Sequence, residues 1–315
     1  MCTSLTLPVP HRASPAYRLF GRTLDLDTHF GESIVLTRGE ALPTFGEAPL
    51  RGQRHPLLGM ATVEQGYPLY AEAMNDQGLY MAGLRFAGEA HYARRPELGR
   101  INLAPWELIP YLLGQYTTVE EVRRALLEIC LVGLPFSDRL PAAPLHWHVA
   151  DADPTHGELV IETTAQGLTV YENPVGVLTN PPVFSEHLAR LSSYESRVSP
   201  QGSPLGTGGV GLPGDYSSAS RFVRGAILRK WAVTDMETCY GAGGEALPSP
   251  VGRFFHLLAA VAPPRGAVVT AEGGSHRTLY ACCMDGAAGV YHVITESSPG
   301  IRAVGFRNGG ADVVL

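Results

Sequence analysis

The sequence predicts an α+β fold in which antiparallel sheets are covered by helices. Strand-like runs follow one another through most of the first half, and predicted helices come in groups between further strands, so the two do not alternate as in βαβ units. The chain has 315 residues, of which 45% are hydrophobic, enough to bury a large core. Neither an internal repeat nor a linker divides it. We therefore expect one domain over residues 1–315.

The first predicted elements are strands. The runs CTSLTLPV, AYRLFGRTLDL and ESIVLTRG are each bounded by Pro, Gly, Asp or Ser, as is typical of strands. Further on, PLYAEAM and LYMAGLRF flank a four-residue segment, 75–78, that ends in Gly78. A short Gly-containing loop between two β-prone runs predicts a hairpin.

Helices and strands then come in groups. Helices are predicted around residues 106–115 and 119–130, and Thr117 with Glu120 three residues later forms a capping box for the second. Strands return with LHWHVADAD, GELVIETT and LTVYENPVGVLTN.

The rest of the chain predicts three more helices and a closing hairpin. Helices are expected near 184–194, over 218–231, and from Ser249-Pro250 to Pro263-Pro264, where serine caps the helix and prolines end it. The Gly-, Pro- and Ser-rich stretch SRVSPQGSPLGTGGVGLPGD is predicted to be a loop. The segment HRTLYACCMDGAAGVYHVITE alternates as a hairpin.

Charge and cysteine usage exclude several classes of protein. There are 24 Lys and Arg against 30 Asp and Glu, a net charge of -6, without a run of like charge, which disfavours nucleic acid and anionic membranes as partners. Without a secretory signal or an apolar run long enough to span a bilayer, a cytoplasmic location is expected. The 5 cysteines form no CxxC motif, which favours reduced thiols.

Cys2 is the first candidate for chemistry. Removal of Met1, which is usual before small residues, would give this cysteine both a thiol and a free α-amine. The amine, with a reference pKa of about 7.7–8.0, can serve as base for its own thiol, as in N-terminal nucleophiles. The alternative is that Cys2 is simply a small residue after methionine.

Arg22 and Asp25, in FGRTLDL, lie on the strand predicted to follow. Adjacent antiparallel strands bring such side chains within reach of each other. An arginine beside a cysteine favours the thiolate, and an aspartate beside an α-ammonium group orients it. A surface ion pair is the alternative.

Several motifs together resemble one family. MCT, FGRTLDL, NDQGLYMAGLRFAG, PLHWHVAD, ENPVGVLTNPP, GLPGDYSSASRFVR and TLYACCMD are similar, in the same order, to motifs of the choloylglycine hydrolase family, which contains bile salt hydrolases and penicillin V acylases. The resemblance implies an N-terminal nucleophile hydrolase fold of four layers, αββα, with two antiparallel sheets between helices.

The resemblance also implies site residues. They are Cys2 as nucleophile, Arg22, Asp25 and Arg221 around it, and the Asn180 amide with the Arg85 backbone N–H as oxyanion donors. Bile salt hydrolases usually carry Asn at the position of Arg85 and penicillin V acylases Tyr, so Arg85 leaves the substrate preference open.

The resemblance implies a cysteine amidohydrolase that needs no cofactor and acts on a small-molecule amide with an apolar acyl group. Glycine- or taurine-conjugated bile acids are the leading substrates. The alternative substrates are penicillin V and N-acyl homoserine lactones. The alternative functions are a noncatalytic binder of amphipathic ligands and a redox sensor that uses Cys282 and Cys283. Some family members form tetramers, and for this chain a homo-oligomer is left open.

The acyl pocket is expected to be apolar. Two segments, 56–67 and 131–144, are predicted to line it as loops. The proposed lining residues, whose alternative role is to anchor these loops, are Leu57, Leu58, Met60, Leu131, Leu134 and Phe136.

Two other patterns carry less weight. His146 and His148 share one face of a predicted strand, but a metal site is not expected, because ligands would have to converge from elsewhere. GTGGVGLPG lacks the GK[ST] ending of a phosphate-binding loop, and we reject a nucleotide site.

Overall fold

The computed structural model describes residues 1–10, 15–39, 55–195, 197–198, 208–241, 249–270, 273–307 and 309–315. Two large, mainly antiparallel sheets are stacked between two helical layers. The predicted α+β class and αββα order are confirmed. Among the described residues, no helix has the length and apolarity needed to cross a bilayer.

The strands and helices have the following bounds. The strands are β1 Cys2–Val9, β2 Tyr17–Leu26, β3 Glu32–Thr37, β4 Leu57–Glu64, β5 Tyr67–Asn75, β6 Leu79–Arg85, β7 Ile101–Leu103, β8 Ile129–Leu131, β9 Leu145–Asp151, β10 Leu159–Thr164, β11 Gly167–Glu172, β12 Val177–Leu178, β13 Val268–Val269, β14 Ser275–Asp285, β15 Val290–Thr295, β16 Arg302–Gly305 and β17 Val313–Val314. The helices are α1 Leu108–Gln115, α2 Val119–Leu126, α3 Phe184–Glu195, α4 Ser218–Gly241 and α5 Pro250–Ala259, and a single 3-10 turn, Pro105–Glu107, precedes α1.

The first sheet has the order β12-β1-β2-β14-β15-β16, with β13 beside β14. The second has the order β11-β10-β9-β6-β5-β4-β3-β17. Helices α3, α4 and α5 cover the first sheet, and α1 and α2 cover the second. The N-terminal strand β1 therefore lies inside the first sheet, between β12 and β2.

The two faces of β1 have different neighbours. Ser4 contacts His148 on β9 of the second sheet, whereas Thr3 receives a hydrogen bond from Arg221 on α4. Because side chains alternate along a strand, Cys2 shares the face of Ser4 and points between the sheets.

The second strand of the first sheet, β2, makes a close approach at Gly21. A Cβ atom there would lie 2.0 Å from the carbonyl oxygen of Cys282 on the neighbouring strand β14. Glycine therefore allows the two strands to pack together one residue before Arg22.

Several predicted elements require correction. Helix α2 ends at Leu126 and 129–131 forms β8, and the α2 cap is Thr118 with Glu121 rather than Thr117 with Glu120. The segment 57–64, expected to be a loop, is β4, since it pairs with strands on both sides. The terminal strands β16 and β17 were not predicted. Most of the predicted loop after α3 lies outside the described residues.

Candidate active site

The site forms where β1 begins. Cys2 is 6% exposed and pairs with Leu24 of β2. Its backbone N–H donates to Asn180 Oδ1 at 2.8 Å. The amino group of Met1 donates to the backbone oxygen of Asp25 at 2.5 Å. The start of the chain is thus fixed between β2 and the segment after β12.

Asn180 is held by its backbone as well as by its side chain. Its N–H donates to Ser218 Oγ at 2.9 Å, and its carbonyl oxygen lies 2.8 Å from His187 Nε2. Its side-chain Nδ2 donates to the carbonyl oxygen of Arg85 at 2.9 Å. The amide is therefore fixed between β1 and the end of β6.

The backbone of Arg85 faces the same space. Phe86 N donates to Pro144 O at 2.8 Å, which makes the next pair, Arg85 with Leu145, a non-hydrogen-bonded pair of the ladder. The N–H and C=O of Arg85 then both point away from β9. The contact of its carbonyl oxygen with Asn180 agrees with this direction. The structure thus brings two prospective oxyanion donors together.

Arg221 is buried on α4, and each of its guanidinium nitrogens has a partner. Its Nη1 donates to the carbonyl oxygen of Cys2 and to Thr3 Oγ1, its Nη2 to Asn180 Oδ1 at 2.8 Å, and its Nε to Tyr216 O at 3.0 Å. Burial lowers its pKa from the ordinary value, against the attraction of Asp25 and Cys2. Arg221 therefore holds the backbone of Cys2.

Arg22 lies 1% exposed between the sheets. Its Nη1 donates to Gly83 O at 2.6 Å and lies 3.5 Å from Glu72 Oε2. Burial lowers the pKa of Arg22. The anionic forms of Cys2, Tyr280 and Glu72 together raise it by more than burial lowers it, so the net pKa lies above the ordinary value. The Arg22 guanidinium group therefore lies within electrostatic range of the Cys2 side chain.

Asp25 is fully buried at the end of β2. Its carboxylate accepts from Thr278 Oγ1 at 2.7 Å and from Thr23 Oγ1 at 3.3 Å. Burial raises its pKa above the ordinary value, although Arg221 and both hydroxyls act in the opposite direction. With Met1 in place, the Cys2 nitrogen contacts Asn180 and the Asp25 carboxylate contacts these two hydroxyls.

The six predicted pocket residues are not brought together. Leu57 and Leu131 pack beneath α1 and α2, whereas Leu58 and Met60 lie in the core cluster that includes Cys2. The split has a simple cause, since neighbouring side chains of a strand face opposite sides.

The remaining two pocket residues lie at an aromatic cluster. Phe136 packs at ring-centroid distances of 5.1 Å from Trp106 and 5.8 Å from Tyr67, and the carbonyl oxygen of Leu134 accepts from Trp106 Nε1. We call these three rings, together with Leu134, the aromatic cluster.

The histidines singled out in the sequence have protein partners. His146 lies between Glu162 and the carbonyl oxygen of Thr179, and His148 contacts Ser4 and Glu158. Across the described part of the chain, no group of three His, Cys, Asp or Glu side chains is arranged to hold a metal ion.

The two vicinal cysteines belong to the core. Cys282 and Cys283 are free thiols with 0% exposure, and burial raises the pKa of each well above its ordinary value. Buried neutral thiols of this kind are unreactive, which disfavours the redox-sensor alternative. The side chain of Cys239 lies outside the described residues.

Sequence reasoning did not find three supporting residues. Ser218 and His187 hold the backbone of Asn180, and Glu72 pairs with Arg22. Only Glu72 gave a signal in the sequence, as a single charge in the otherwise uncharged strand PLYAEAM.

Two antiparallel sheets between helical layers, with a cysteine at position 2 opening an internal strand, form the fold of the N-terminal nucleophile hydrolases. The model of the linear amide C–N hydrolases, choloylglycine hydrolase family, matches residues 2–312. The chain belongs to this family, and it is a hydrolase of linear amide C–N bonds.

Similar proteins span nearly the whole chain. A bile salt hydrolase/transferase of Lactiplantibacillus plantarum is 37% identical over 96% of this chain and 92% of that protein. A conjugated bile acid hydrolase of Lactobacillus acidophilus is 34% identical over 87% of each.

Solved structures show the same fold. A mutant conjugated bile acid hydrolase from Clostridium perfringens has a TM-score of 0.84 and 31% identity, covering 98% of this chain and 94% of that one. A penicillin V acylase from Agrobacterium tumefaciens, with a TM-score of 0.73 and 18% identity over 98% of this chain and 87% of that one, is similar in fold alone.

Proposed function

We propose that this protein cleaves amides that join an apolar acyl group to a small polar amine, with glycine- or taurine-conjugated bile acids as the leading substrates. The observation that carries the proposal is the placement of Cys2 beside Asn180 and the backbone of Arg85. The names of the relatives, which are bile salt and conjugated bile acid hydrolases, support this choice of substrate.

The nucleophile is the thiol of Cys2 after Met1 is removed. Its α-amine then takes the place of the backbone nitrogen that lies 2.8 Å from Asn180 Oδ1. The amine accepts the thiol proton, and the thiolate adds to the amide carbonyl carbon. Arg22 stabilises the thiolate, Asp25 orients the new ammonium group, and Arg221 holds the backbone.

The oxyanion is stabilised by Asn180 and Arg85. Asn180 Nδ2 carries two hydrogens, and one of them is directed to the carbonyl oxygen of Arg85. The second is available to the developing oxyanion, together with the Arg85 N–H. Such fixed donors act on charge that appears only during the reaction.

The remaining steps need only water. The tetrahedral intermediate collapses, the Cys2 ammonium group protonates the leaving nitrogen, and the C–N bond breaks. The thioester is then hydrolysed by a water molecule whose proton is accepted by the same amine.

The acyl group is expected at the aromatic cluster, where Phe136 and Leu134 lie beside Trp106 and Tyr67. Of the six predicted pocket residues, these two and the inward-facing Leu58 and Met60 stay in the proposal. Leu57 and Leu131 do not, because they pack on the helical side of the second sheet.

The domain organisation, the location and the partners of the protein belong to the same proposal. We assign residues 1–315 to one catalytic domain that acts in the cytoplasm on a small molecule, without nucleic acid or membrane as partner. Four buried free thiols support a reducing compartment. Sedimentation velocity would decide whether the chain forms a homo-oligomer.

The test is amine release from glycocholate, taurocholate, penicillin V and an N-acyl homoserine lactone by wild type and by Cys2→Ala. We expect the bile salts to be the best substrates and Cys2→Ala to lose at least about 10³-fold in rate while still binding glycocholate. Cys130→Ala is the matched control, because Cys130 is also a buried free thiol. Turnover by Cys2→Ala would contradict the mechanism, and binding of glycocholate without turnover by processed wild type would indicate a noncatalytic binder.

A further inference from the structure

We propose that the side chain of Arg85 selects amides whose leaving amine carries an acidic group, such as a carboxylate or a sulfonate. The inference rests on the proposed function and assigns a specificity-determining role to a residue whose backbone alone enters the reaction. Three arginines lie at the site, and they differ in whether a substrate can reach their guanidinium groups.

The two buried arginines are not available. Arg221 is 0% exposed and binds Cys2, Thr3, Asn180 and the Tyr216 carbonyl oxygen. A substrate anion could reach its guanidinium group only by breaking these bonds.

Arg22 is equally committed. It is 1% exposed, and it donates to the carbonyl oxygens of Gly83, Ala71 and Thr23 as well as pairing with Glu72. Both buried arginines therefore act within the protein.

Arg85 differs in each respect. Its side chain is exposed, and it makes no hydrogen bond or ion pair with any described residue. Its carbonyl oxygen lies 2.9 Å from Asn180 Nδ2, which places its Cα beside the reacting carbonyl group. A flexible side chain that starts there can reach a charged group a few bonds from the scissile amide.

The surroundings of His276 support this placement. His276 is half-buried at the start of β14, two residues before Thr278, which binds Asp25. Burial lowers its pKa, and the positive charges of the chain's amino terminus and Arg85 lower it further, against Asp27 and Asp25. Arg85 is therefore close enough to His276 for its positive charge to act on the same part of the site.

The anionic group belongs to the amine rather than to the acyl part. The acyl group is expected at the aromatic cluster, and an acid there would lose its hydration without a partner. Glycine, taurine and the amine released from penicillin V each carry an acid, whereas homoserine lactone does not. Arg85 therefore ranks the first three kinds of substrate above acyl homoserine lactones.

The test uses four amides with one common acyl group, joined to glycine, taurine, glycinamide or homoserine lactone. We expect wild-type kcat/KM to be about tenfold higher for the two acid-bearing amides than for the two neutral ones, mainly through KM. In Arg85→Gln this ratio should fall to about two, and Arg85→Lys should keep part of it because the charge remains. Added salt should reduce the ratio in wild type.

A matched control is Arg307→Gln. Arg307 is also exposed, but it follows β16 beside the β14–β15 turn, and this turn lies at the end of the sheet away from Cys2. We expect this variant to keep the wild-type ratio.

The outcomes separate the inference from the function on which it rests. Equal losses on acidic and neutral amides in Arg85→Gln would mean that Arg85 only positions its backbone N–H, and a wild type without preference would overturn the inference directly. If wild type hydrolysed none of the four amides, the proposed function itself would fail.

Discussion

At the residue scale, Asn180 connects the parts of the site. Its side chain contacts Cys2, Arg221 and Arg85, and its backbone contacts Ser218 and His187. A side chain with so many fixed partners needs little reorganisation energy when charge develops beside it.

The first prediction concerns this amide. In Asn180→Ala we expect kcat to fall by about 10²–10³, because one oxyanion donor is lost, with a smaller change in KM. Steady-state kinetics with glycocholate measures this. Asn102→Ala, which removes a half-buried amide bonded to Glu97, is the control. A loss of less than about threefold in Asn180→Ala would exclude Asn180 as an oxyanion donor.

The second prediction concerns pH and His187. Burial lowers the pKa of this histidine from 6.5 to about 4. Between these values the unfolded chain binds a proton that the folded chain does not, so the contribution of His187 to stability falls as pH decreases from about 6.5 to about 4, by about 3 kcal/mol in total. In His187→Gln this loss should be absent.

Urea unfolding at a series of pH values would measure the difference between wild type and His187→Gln. The control is His256→Gln, which removes an exposed histidine on α5. If wild type and His187→Gln showed the same slope between pH 4 and 6.5, His187 would not be the buried neutral group described above.

The sequence suggested the candidate site residues but not the residues that hold them. Cys2 was suggested by its position, and Asn180 and Arg221 by motifs. Ser218 and His187 lie 38 and 7 residues from Asn180, and their contacts depend on the path of the segment after β12, which no local pattern specifies.

At the element scale, Glu72 links the two sheets. It lies on β5 of the second sheet, and its carboxylate accepts from Tyr280 on β14 and Tyr291 on β15, each at 2.8 Å. It also pairs with Arg22 on β2. Three strands of the first sheet thus meet one carboxylate of the second.

The third prediction follows from this link. Glu72→Ala leaves the buried Arg22 without its counter-charge, and we expect the free energy of unfolding to fall by about 3 kcal/mol. Denaturant unfolding measures the change. Glu120→Ala, which removes an exposed carboxylate paired with Arg123 and Arg124, should change it by no more than about 0.5 kcal/mol. Equal effects of the two substitutions would show that the buried pair adds nothing.

Long, alternating elements with clear turns were predictable, and short ones were not. The β5–β6 hairpin has both features, and it is confirmed. In contrast, β8 has 3 residues and β17 has 2, and each pairs in parallel with a distant strand. Their existence depends on tertiary pairing rather than on local pattern.

At the scale of the whole molecule, the topology creates the site. Strand β1 lies between β12 and β2, so Cys2 contacts residues far away in the sequence, namely Asn180 and Arg221. Composition and strand order predicted the α+β class, but only the resemblance to a known family predicted the four layers. The pairing order of distant strands is not encoded in any single segment.

The central claim is that a processed N-terminal Cys2 is the nucleophile, and one measurement tests it most directly. Intact mass and peptide mapping would be followed together with glycocholate hydrolysis during titration with iodoacetamide. We predict a chain that lacks Met1 and loses activity in proportion to alkylation of Cys2, with Cys282 and Cys283 unmodified because they are buried. An active chain that retains Met1, or activity that persists after Cys2 is fully alkylated, would contradict the account.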